Sequence, residues 1–260
     1  MGTAAQNGQD WGAEARDWAE LQEPSFAPVF ETILDVAGVR AGSRVLDVGC
    51  GSGLCGHLAA KRGAHVAGLD AAEGMIAVAR ERTPSADFRV GEMEELPFAD
   101  ASFDVVTGFN SFQYAADPIH ALSEARRVTK SGGRVVMLVW GSAEDCEAAA
   151  FVRAVGTVLP PPPPGAPGPF ALSEPGALER MLSSAGWTPE QRGKADGPFV
   201  FPDEDKTLRA IAAAGVGVKA IRHAGRHAFN AAVRPAIAQF RHPDGTYRME
   251  NKFVYVLARK

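Results

Sequence analysis

The sequence has little of what several protein classes require. Its 260 residues include three cysteines, Cys50, Cys55 and Cys146. An odd number of cysteines cannot pair fully in a disulfide framework, and their spacing matches no zinc-binding pattern. We therefore expect reduced cysteines and no metal site.

Long apolar runs and a basic excess are also missing. No stretch approaches the about 18 apolar residues of a membrane span, and residues 1–20 lack the basic start and apolar run of a targeting signal. Lysine and arginine total 27 against 31 aspartate and glutamate, a formal charge of -4. Nucleic-acid binding normally needs a basic excess. The sequence therefore predicts a cytoplasmic protein without a membrane span and without a nucleic-acid partner.

What the sequence does contain is an alternation of apolar runs and helical patterns. Apolar residues make up 46% of the chain and charged residues 22%, which is a globular composition. Such alternation predicts a parallel sheet with helices on both faces. The predicted strands cover residues 45–48, 65–69, 87–90, 103–107 and 134–140.

The patterns before and after this core predict further helices and strands. A helix over 26–36 follows a polar lead, and a proline-rich surface connector runs from Pro160 to Pro169. Ser173 is expected to cap a helix that ends near Gly186. The remaining predictions are helices over 144–158 and 203–240 and strands over 199–201 and 252–259.

A glycine-rich stretch ends the first predicted strand and opens a helix: Val45-Leu46-Asp47-Val48-Gly49-Cys50-Gly51-Ser52-Gly53. Glycines let the backbone approach a ligand, and a helix start supplies unpaired N–H donors. The dinucleotide fingerprint G-x-G-x-x-G, begun at Gly49, has Leu54 at its third glycine position, which disfavours a nicotinamide cofactor. Asp47 would repel a pyrophosphate but hold an ammonium group, which favours an amino-acid-like cofactor.

This stretch and four later ones resemble the class I S-adenosylmethionine-dependent methyltransferases, more narrowly the small-molecule branch that includes ubiquinone and menaquinone methyltransferases. The resemblance covers residues 40–140 and the last strand, whereas 141–250 have no assignable motif. The matching stretches are Asp47-x-Gly49-x-Gly51-x-Gly53, Asp70, Gly91 to Phe98, Ser102-Phe103-Asp104-Val105-Val106, and Arg127-Val128 with Gly132-Gly133-Arg134.

Together, the patterns and the resemblance predict an α/β fold: a Rossmann-like, doubly wound, seven-stranded sheet with an antiparallel last strand and a helical lid. Residues 1–40 are expected to be an N-terminal cover segment and 41–140 the cofactor-binding core. Residues 141–250 would hold strand six and helical lid insertions over 141–170 and 203–245. Residues 251–260 would return to the core sheet as its last strand.

The resemblance implies S-adenosylmethionine as cofactor and S-adenosylhomocysteine as product. Asp47 would support the methionine part along the glycine loop, Asp70 would take both ribose hydroxyls, and Glu92 with the Met93 N–H would face the adenine edge. For Met75 and Trp18, helix packing is an equal alternative. The predicted cofactor-binding residues are Trp18, Asp47, Gly49, Cys50, Gly51, Gly53, Asp70, Ala71, Met75, Glu92, Met93, Glu94 and Phe109.

Acceptor contacts are predicted just after the fourth strand, at Phe112, Gln113 and Tyr114. Relatives often carry two histidines at the last two of these positions, so this chain departs from a family-type histidine base. Tyr114 and His227 are the candidate catalytic groups. His223 and His227 are four residues apart on a predicted helix and would share a face, although solvated surface histidines are the alternative.

The second insertion is basic. Residues 203–248 contain eight basic and four acidic residues, a charge of +4 within a chain of -4. A solvated helix surface is one interpretation. The other is that Arg222, His223 and Arg226 attract an acceptor bearing carboxylate or phosphate, because a guanidinium binds such anions bidentately.

Methyl transfer is an in-line displacement, so the protein mainly aligns the nucleophile and excludes water, and a base is optional. The leading hypothesis is methyl transfer to oxygen or carbon of a small organic acceptor, such as a secondary or quinone-like metabolite. The alternative is a methyltransferase-fold protein that acts as a cyclase or binding module. A nicotinamide-dependent reductase is the third, and the oligomeric state is not predicted.

Overall fold

The computed structural model describes residues 3–161 and 168–260. The described helices are α1 (Ala4–Gly12), α2 (Ala15–Asp17), α3 (Ala27–Val36), α4 (Leu54–Lys61), α5 (Glu73–Arg82), α6 (Pro118–Val128), α7 (Ala149–Gly156), α8 (Ala177–Ser184), α9 (Glu204–Ala213) and α10 (Gly215–Ile237). The described strands are β1 (Arg44–Val48), β2 (His65–Asp70), β3 (Asp87–Val90), β4 (Phe103–Phe109), β5 (Thr129–Trp140), β6 (Thr188–Asp196), β7 (Phe199–Phe201), β8 (Tyr247–Met249) and β9 (Lys252–Arg259).

Seven of these strands form one sheet in the order β3-β2-β1-β4-β5-β9-β6. Strands β1 to β5 are parallel, and β9 is antiparallel to both β5 and β6. The strand order reverses between β1 and β4, and ligands of open α/β sheets bind at the carboxyl ends of the strands beside such a reversal. The predicted seven-stranded fold with an antiparallel last strand is confirmed.

The apolar runs of the parallel strands supply both core layers. Along β1, Val45 and Leu46 are both fully buried but belong to separate clusters on opposite faces of the sheet. Val105 and Val106 repeat this alternation on β4. Because each fully buried valine or leucine contributes about 1.5–3 kcal/mol, covering both faces makes this sheet the stable frame for the site.

The N-terminal segment, defined here as residues 3–26, is helical rather than an irregular polar lead. It contains α1, α2, a π-helical turn over Trp18–Gln22 and a 3-10 turn over Glu23–Phe26. Two of its acidic side chains are almost fully buried: Asp10 is 0% exposed and Glu23 4%. This segment packs against the carboxyl edge of the sheet, as the contacts below show.

Several predictions for the C-terminal half are wrong in detail. Within the predicted helix 144–158, only Ala149–Gly156 is α-helical, because Cys146 pairs with Asn251 in an isolated bridge. Ser173 does not cap α8: its hydroxyl donates to the Phe170 carbonyl, and Gly176 precedes the helix instead. The proline-rich connector lies partly outside the described residues, which omit 162–167.

The sixth strand of the sheet was also misplaced. Strand β6 covers Thr188–Asp196, an edge strand with largely exposed polar side chains and no apolar run to predict it. The predicted strand Phe199–Phe201 exists, but it pairs with β8 in a separate two-stranded sheet. The helical insertion of residues 203–245 contains α9 and α10, and α10 packs against α7, α9 and α1.

Candidate cofactor and methyl-transfer site

The glycine loop, residues 49–53, connects β1 to α4 at the carboxyl edge of the sheet. Gly49 and Gly53 have φ of +73° and +81°, and a Cβ on Gly53 would lie 2.7 Å from the Ala79 Cβ. Gly51 also has positive φ, but its Cα faces more open space: a Cβ there would be 3.6 Å from Glu23 Oε1 and 3.8 Å from Trp18 Nε1. The loop is therefore packed at both ends and approachable at Gly51.

Asp47 is the penultimate residue of β1, two residues before this loop. Its carboxylate is 1% exposed and accepts a hydrogen bond from Thr107 Oγ1 at 2.7 Å. Burial raises the pKa of Asp47 to about 7, with a smaller contribution from the nearby charges of Glu23 and Asp70. A cation placed beside Asp47 would favour its charged form.

Asp70 lies at the end of β2 and accepts two backbone hydrogen bonds, from Gly51 N and from Ala72 N, both at 2.8 Å. Burial raises its pKa, and these backbone donors act in the opposite direction. A carboxylate offers about four lone-pair sites, so two remain for further donors such as ribose hydroxyls. Asp70 thus both shapes the glycine loop and keeps accepting capacity beside it.

Glu23 is a site residue that the sequence analysis missed. Its carboxylate accepts from the Ser52 hydroxyl and pairs with Arg82, whose Nη1 also donates to the Ser52 carbonyl at 2.7 Å. Burial raises the pKa of Glu23 despite these partners. Glu23 comes from the predicted polar lead, where no local pattern marks it as buried.

The predicted adenine-facing groups are already hydrogen-bonded. Met93 N donates to Glu92 Oε1 at 2.9 Å, and Ala4 N, at the start of α1, donates to Glu92 Oε2 at 3.3 Å. Glu94 Oε1 accepts from Asp117 N at 2.7 Å and so supports the start of α6. If Glu92 and Met93 bind adenine, the hydrogen bonds to adenine would therefore replace these existing ones, including the one from α1.

Aromatic side chains of the N-terminal segment cover this edge. The Trp11 ring lies 5.1 Å from Trp18 and 6.1 Å from Tyr114, both edge to face. Met75 is 1% exposed and packs with Ala15 and these tryptophans. Cys50 is the buried second residue of the loop, and a Cβ on Gly8 of α1 would lie 2.4 Å from the Ala71 carbonyl oxygen.

The predicted ligand contacts at the end of β4 and in the turn after it differ in how far they are buried. The Phe109 ring lies 4.7 Å from the Phe30 ring at an interplanar angle of 38°, and Phe109 is partly exposed. Phe112 is fully buried in the core against Gly108, which gives no support to its prediction as an acceptor contact. Tyr114 is 41% exposed as a residue, yet burial raises the pKa of its phenol, which disfavours it as a base at neutral pH.

The predicted residues on α10 do not form an acceptor site. Gly225 has φ of 85° and ψ of 155°, which interrupts the helix between His223 and His227 and breaks the expected shared face. His223, Arg226 and His227 are exposed, and among described residues none of them forms a side-chain hydrogen bond or ion pair. Their position gives no support to His227 as a catalytic group.

Arg222 instead binds the N-terminal segment. Its Nη1 lies 2.7 Å from Asp10 Oδ1, and Lys219 Nζ lies 3.2 Å from Asp10 Oδ2. Arg209 of α9 pairs with Asp17 in the same way, at 2.7 Å. Three of the eight basic residues in 203–248 therefore neutralise acids of the N-terminal segment, and their charge gives no support to an anionic acceptor.

No group of three or more potential metal-ligating side chains occurs in the described residues. A cavity of about 310 Å³ opens at the opposite edge of the sheet, beside the start of β1 and β2. Its Arg89 is paired with Asp87 and donates to the Pro97 carbonyl. We do not assign this cavity to the site, because open α/β sheets bind ligands at the carboxyl ends of their strands.

Leu54 at the third glycine position does not by itself exclude a dinucleotide cofactor. A second register, Gly51-x-Gly53-x-x-Gly56, completes the fingerprint. A Cβ on Gly56 would lie 3.0 Å from Val66 Cγ1, the close helix–strand contact that the third glycine of the fingerprint permits. The buried Asp47 still disfavours a pyrophosphate. Similarity to known proteins further distinguishes a dinucleotide from S-adenosylmethionine.

Residues 46–137 match the family model described as a methyltransferase domain. This confirms the predicted resemblance for that part of the chain. Curated relatives include a demethylmenaquinone methyltransferase of Renibacterium salmoninarum, 42% identical over 40% of this chain and 44% of that protein. A ubiquinone biosynthesis O-methyltransferase of Hahella chejuensis is 39% identical over 47% of this chain and 52% of that protein. The chain thus spans about half the length of these relatives.

Solved structures extend the likeness beyond this domain at the level of fold. The YcgJ protein of Bacillus subtilis covers 89% of this chain and 97% of its own, with a TM-score of 0.57 and 23% identity. The [4+2]-cyclase SpnF covers 90% of this chain and 81% of its own, with a TM-score of 0.58 and 20% identity. At the described residues, no helix is long and apolar enough to span a membrane.

Proposed function

We propose that this protein transfers a methyl group from S-adenosylmethionine to a small organic acceptor. The observation that supports this most is the arrangement of Asp47, Asp70 and the open side of Gly51 around one loop, within the stretch that matches methyltransferases. We further propose that it acts in the cytoplasm and not on nucleic acid.

The charges around the glycine loop fit a cationic cofactor. Three buried or partly buried carboxylates, Glu23, Asp47 and Asp70, lie near the loop, whereas Arg82 is the cation paired with one of them. The excess negative charge favours a ligand with ammonium or sulfonium character over a pyrophosphate. S-adenosylmethionine, when bound, supplies an activated methyl group on a positively charged sulfur.

Each residue then has a role that follows from its contacts. Asp70 would accept the ribose hydroxyls with its remaining lone pairs while holding Gly51 N. Asp47 would lower the energy of a nearby positive charge. Trp18 and Trp11 would cover the ligand and exclude water, which in-line displacement requires.

The site offers alignment rather than proton abstraction. Tyr114 has a raised pKa because of burial, and the neighbouring Gln113 carries an amide that cannot take up a proton at neutral pH. His227 is exposed on α10. We therefore propose an acceptor atom that is nucleophilic without a protein base, at oxygen or carbon.

The names of the relatives bear on the acceptor class. Two are named as quinone-pathway methyltransferases, and one of Serratia marcescens, 35% identical over 42% of both chains, as a malonyl-[acyl-carrier protein] O-methyltransferase. The match covers residues 46–137, and the N-terminal segment that covers the glycine loop lies outside it. A quinone-like acceptor is therefore one candidate.

Cofactor titration of Asp70→Ala tests this function. Loss of a charged acceptor from bound hydroxyls should weaken S-adenosylmethionine binding by about ten- to hundredfold in calorimetry. Asp87→Ala, which removes an exposed carboxylate at the start of β3, is the matched control and should bind normally. If the unsubstituted chain binds neither S-adenosylmethionine nor S-adenosylhomocysteine, the proposal fails.

A cyclase or binding module on the same fold is the second candidate, supported by the fold similarity to the cyclase SpnF. The two differ in the fate of the cofactor. A methyltransferase converts S-adenosylmethionine to S-adenosylhomocysteine in step with a mass increase of the acceptor, whereas the alternative leaves the cofactor unchanged. Mass spectrometry of cofactor and acceptor after incubation with extracts of small metabolites separates them.

A further inference from the structure

The turn after β4, residues 110–114, has an unusual backbone. Asn110 has φ of +48°, which is uncommon for a residue other than glycine. Its Oδ1 accepts a hydrogen bond from Trp140 N at 3.2 Å, and Gln113 Nε2 lies 3.5 Å from the same oxygen. Trp140 N is a donor, so its partner atom on Asn110 must be the amide oxygen. The Gln113 atom that contacts the same oxygen must then be a donor, which is its amide nitrogen. Gln113 Oε1 therefore faces away from Asn110.

Two polar atoms of this turn are buried without a hydrogen-bond partner among the described residues. They are Ser111 Oγ and Gln113 Oε1, and Ser111 as a whole is 5% exposed. In the described chain, one further side-chain atom has this property, Asn230 Oδ1 on α10. An unpaired buried polar group costs about 1–3 kcal/mol, so two of them in one turn point to a ligand that pairs with them.

The turn lies against the glycine loop. A Cβ on Gly49 would be 3.2 Å from Ser111 Oγ, and one on Gly108 would be 3.0 Å from it. On its other side, the Tyr114 carbonyl accepts from Asn7 Nδ2 of α1 at 3.1 Å. The unpaired atoms thus lie between the cofactor loop and the helix that covers it.

Gln113 Oε1 disfavours an anion as the partner of this turn. A glutamine Oε1 only accepts hydrogen bonds, so it would face the lone pairs of a carboxylate or phosphate unfavourably. Several basic groups of the helical insertion that would attract an anion are paired with Asp10 and Asp17. A ligand with a hydroxyl or amino group satisfies Gln113 Oε1 without a net charge.

We propose that Gln113 Oε1 accepts a hydrogen bond from a hydroxyl or amino group of the methyl acceptor, with Ser111 Oγ as the second polar contact. This inference rests on the proposed function and specifies its acceptor: an uncharged hydrogen-bond donor. Gln113 then determines specificity by recognising a donor next to the methylated atom, without moving a proton.

The test uses the full chain loaded with S-adenosylhomocysteine and three small aromatic probes: resorcinol, 1,3-dimethoxybenzene and benzoate. Binding is measured by ligand-observed NMR. Resorcinol should bind at least about tenfold more tightly than the other two, because only it donates to Gln113 and carries no charge. Gln113→Leu should remove this preference, whereas Gln239→Leu, an exposed glutamine on the surface after α10, should keep it.

Ser111→Ala provides a second variant with minimal change in volume and should weaken resorcinol binding severalfold. Equal binding of resorcinol and dimethoxybenzene, preferred binding of benzoate, no binding of any probe, or an unchanged preference in Gln113→Leu would each overturn the inference. S-adenosylhomocysteine affinity is measured first on the same samples. Its failure to bind overturns the proposed function itself, whereas normal cofactor binding with no probe preference overturns only the inference about Gln113.

Discussion

The glycine loop and the N-terminal segment meet at the same edge of the sheet but depend on contacts of very different range. Gly51 N bonds to Asp70, 19 residues away. Asp10 bonds to Arg222, 212 residues away, and Asp17 to Arg209, 192 away. The spacing between Gly51 and Asp70 is typical of strand–loop–helix units, so this contact can be predicted from the sequence. The long pairs depend on where helices from opposite ends of the chain pack, and no local pattern encodes them.

The largest effect is expected from a substitution in the glycine loop. Gly51→Val should abolish S-adenosylmethionine binding in calorimetry, because a branched side chain would occupy the open side of the loop at a positive φ. Gly42→Val carries similar backbone strain, with φ of +81° and nothing within 4 Å. That control should bind the cofactor normally. Native affinity in Gly51→Val would show that ligands approach elsewhere.

Next in size is the contact that joins the N-terminal segment to α10. Arg222→Ala leaves the buried Asp10 with Lys219 and should lower the free energy of unfolding by about 1–3 kcal/mol in urea denaturation. It should also speed dissociation of S-adenosylhomocysteine, because the cover over the loop is held less firmly. A variant with native stability and native dissociation rate would mean that the N-terminal segment is held without Asp10.

A smaller effect concerns the acidity of Asp47. Its pKa of about 7 means that it takes up a proton as pH falls below neutral, and a cation binds the charged form better. Affinity for S-adenosylmethionine should therefore fall about tenfold from about pH 7.5 to about pH 6. Asp47→Asn should bind weakly but without this pH dependence. A flat profile in the unsubstituted chain would contradict the assigned role.

The same pKa fixes the sign of a stability effect. In the unfolded chain an aspartate titrates near about 3.9, so the folded protein binds this proton more tightly. In the absence of cofactor, the contribution of Asp47 to stability is therefore full below about pH 4, falls as pH rises to about 7 and is constant above. Urea denaturation of Asp47→Asn should lack this decline.

The smallest effect is expected on the exposed part of α10. Arg226→Ala and His227→Ala should each change the free energy of unfolding by less than about 0.5 kcal/mol and leave cofactor affinity unchanged. Comparison of these variants with Arg222→Ala shows whether stability depends on the ion pair with Asp10 or only on the total charge of the helical insertion. A large loss of stability in either variant would show that this part of α10 stabilises the fold beyond the ion pair of Arg222 with Asp10.

Sequence predicted the core well because its strands are buried on both faces and read as apolar runs. Strand β9, which is buried along most of its length, was placed at its observed residues, as was the partly exposed edge strand β3, and the α/β order follows from alternation alone. Strand β6 escaped prediction because it is a polar edge strand stabilised by pairing with β9. Its partners, rather than its side chains, make it a strand.

The site divides in the same way. Asp47, Asp70 and the glycines were predicted from a motif and lie together. Glu23 and Ser111 were missed, because a buried acid in a polar lead and a serine in a turn carry no signal of their own. The structure gives no support to Phe112 and His227, because the direction of a side chain depends on packing: Phe112 is a buried ring, and a kink at Gly225 separates His227 from His223.

The position of β9 has a consequence for how the chain is made on the ribosome. Strand β9 lies between β5 and β6, yet it is assembled from residues 252–259. When residues 44–140 have emerged, five parallel strands can form with the edge of β5 unpaired, and an unpaired strand edge is a template for association with other chains. That edge stays open while more than a hundred further residues are synthesised. Slow translation of this interval, or its interruption, would therefore favour aggregation more than the stability of the finished protein suggests.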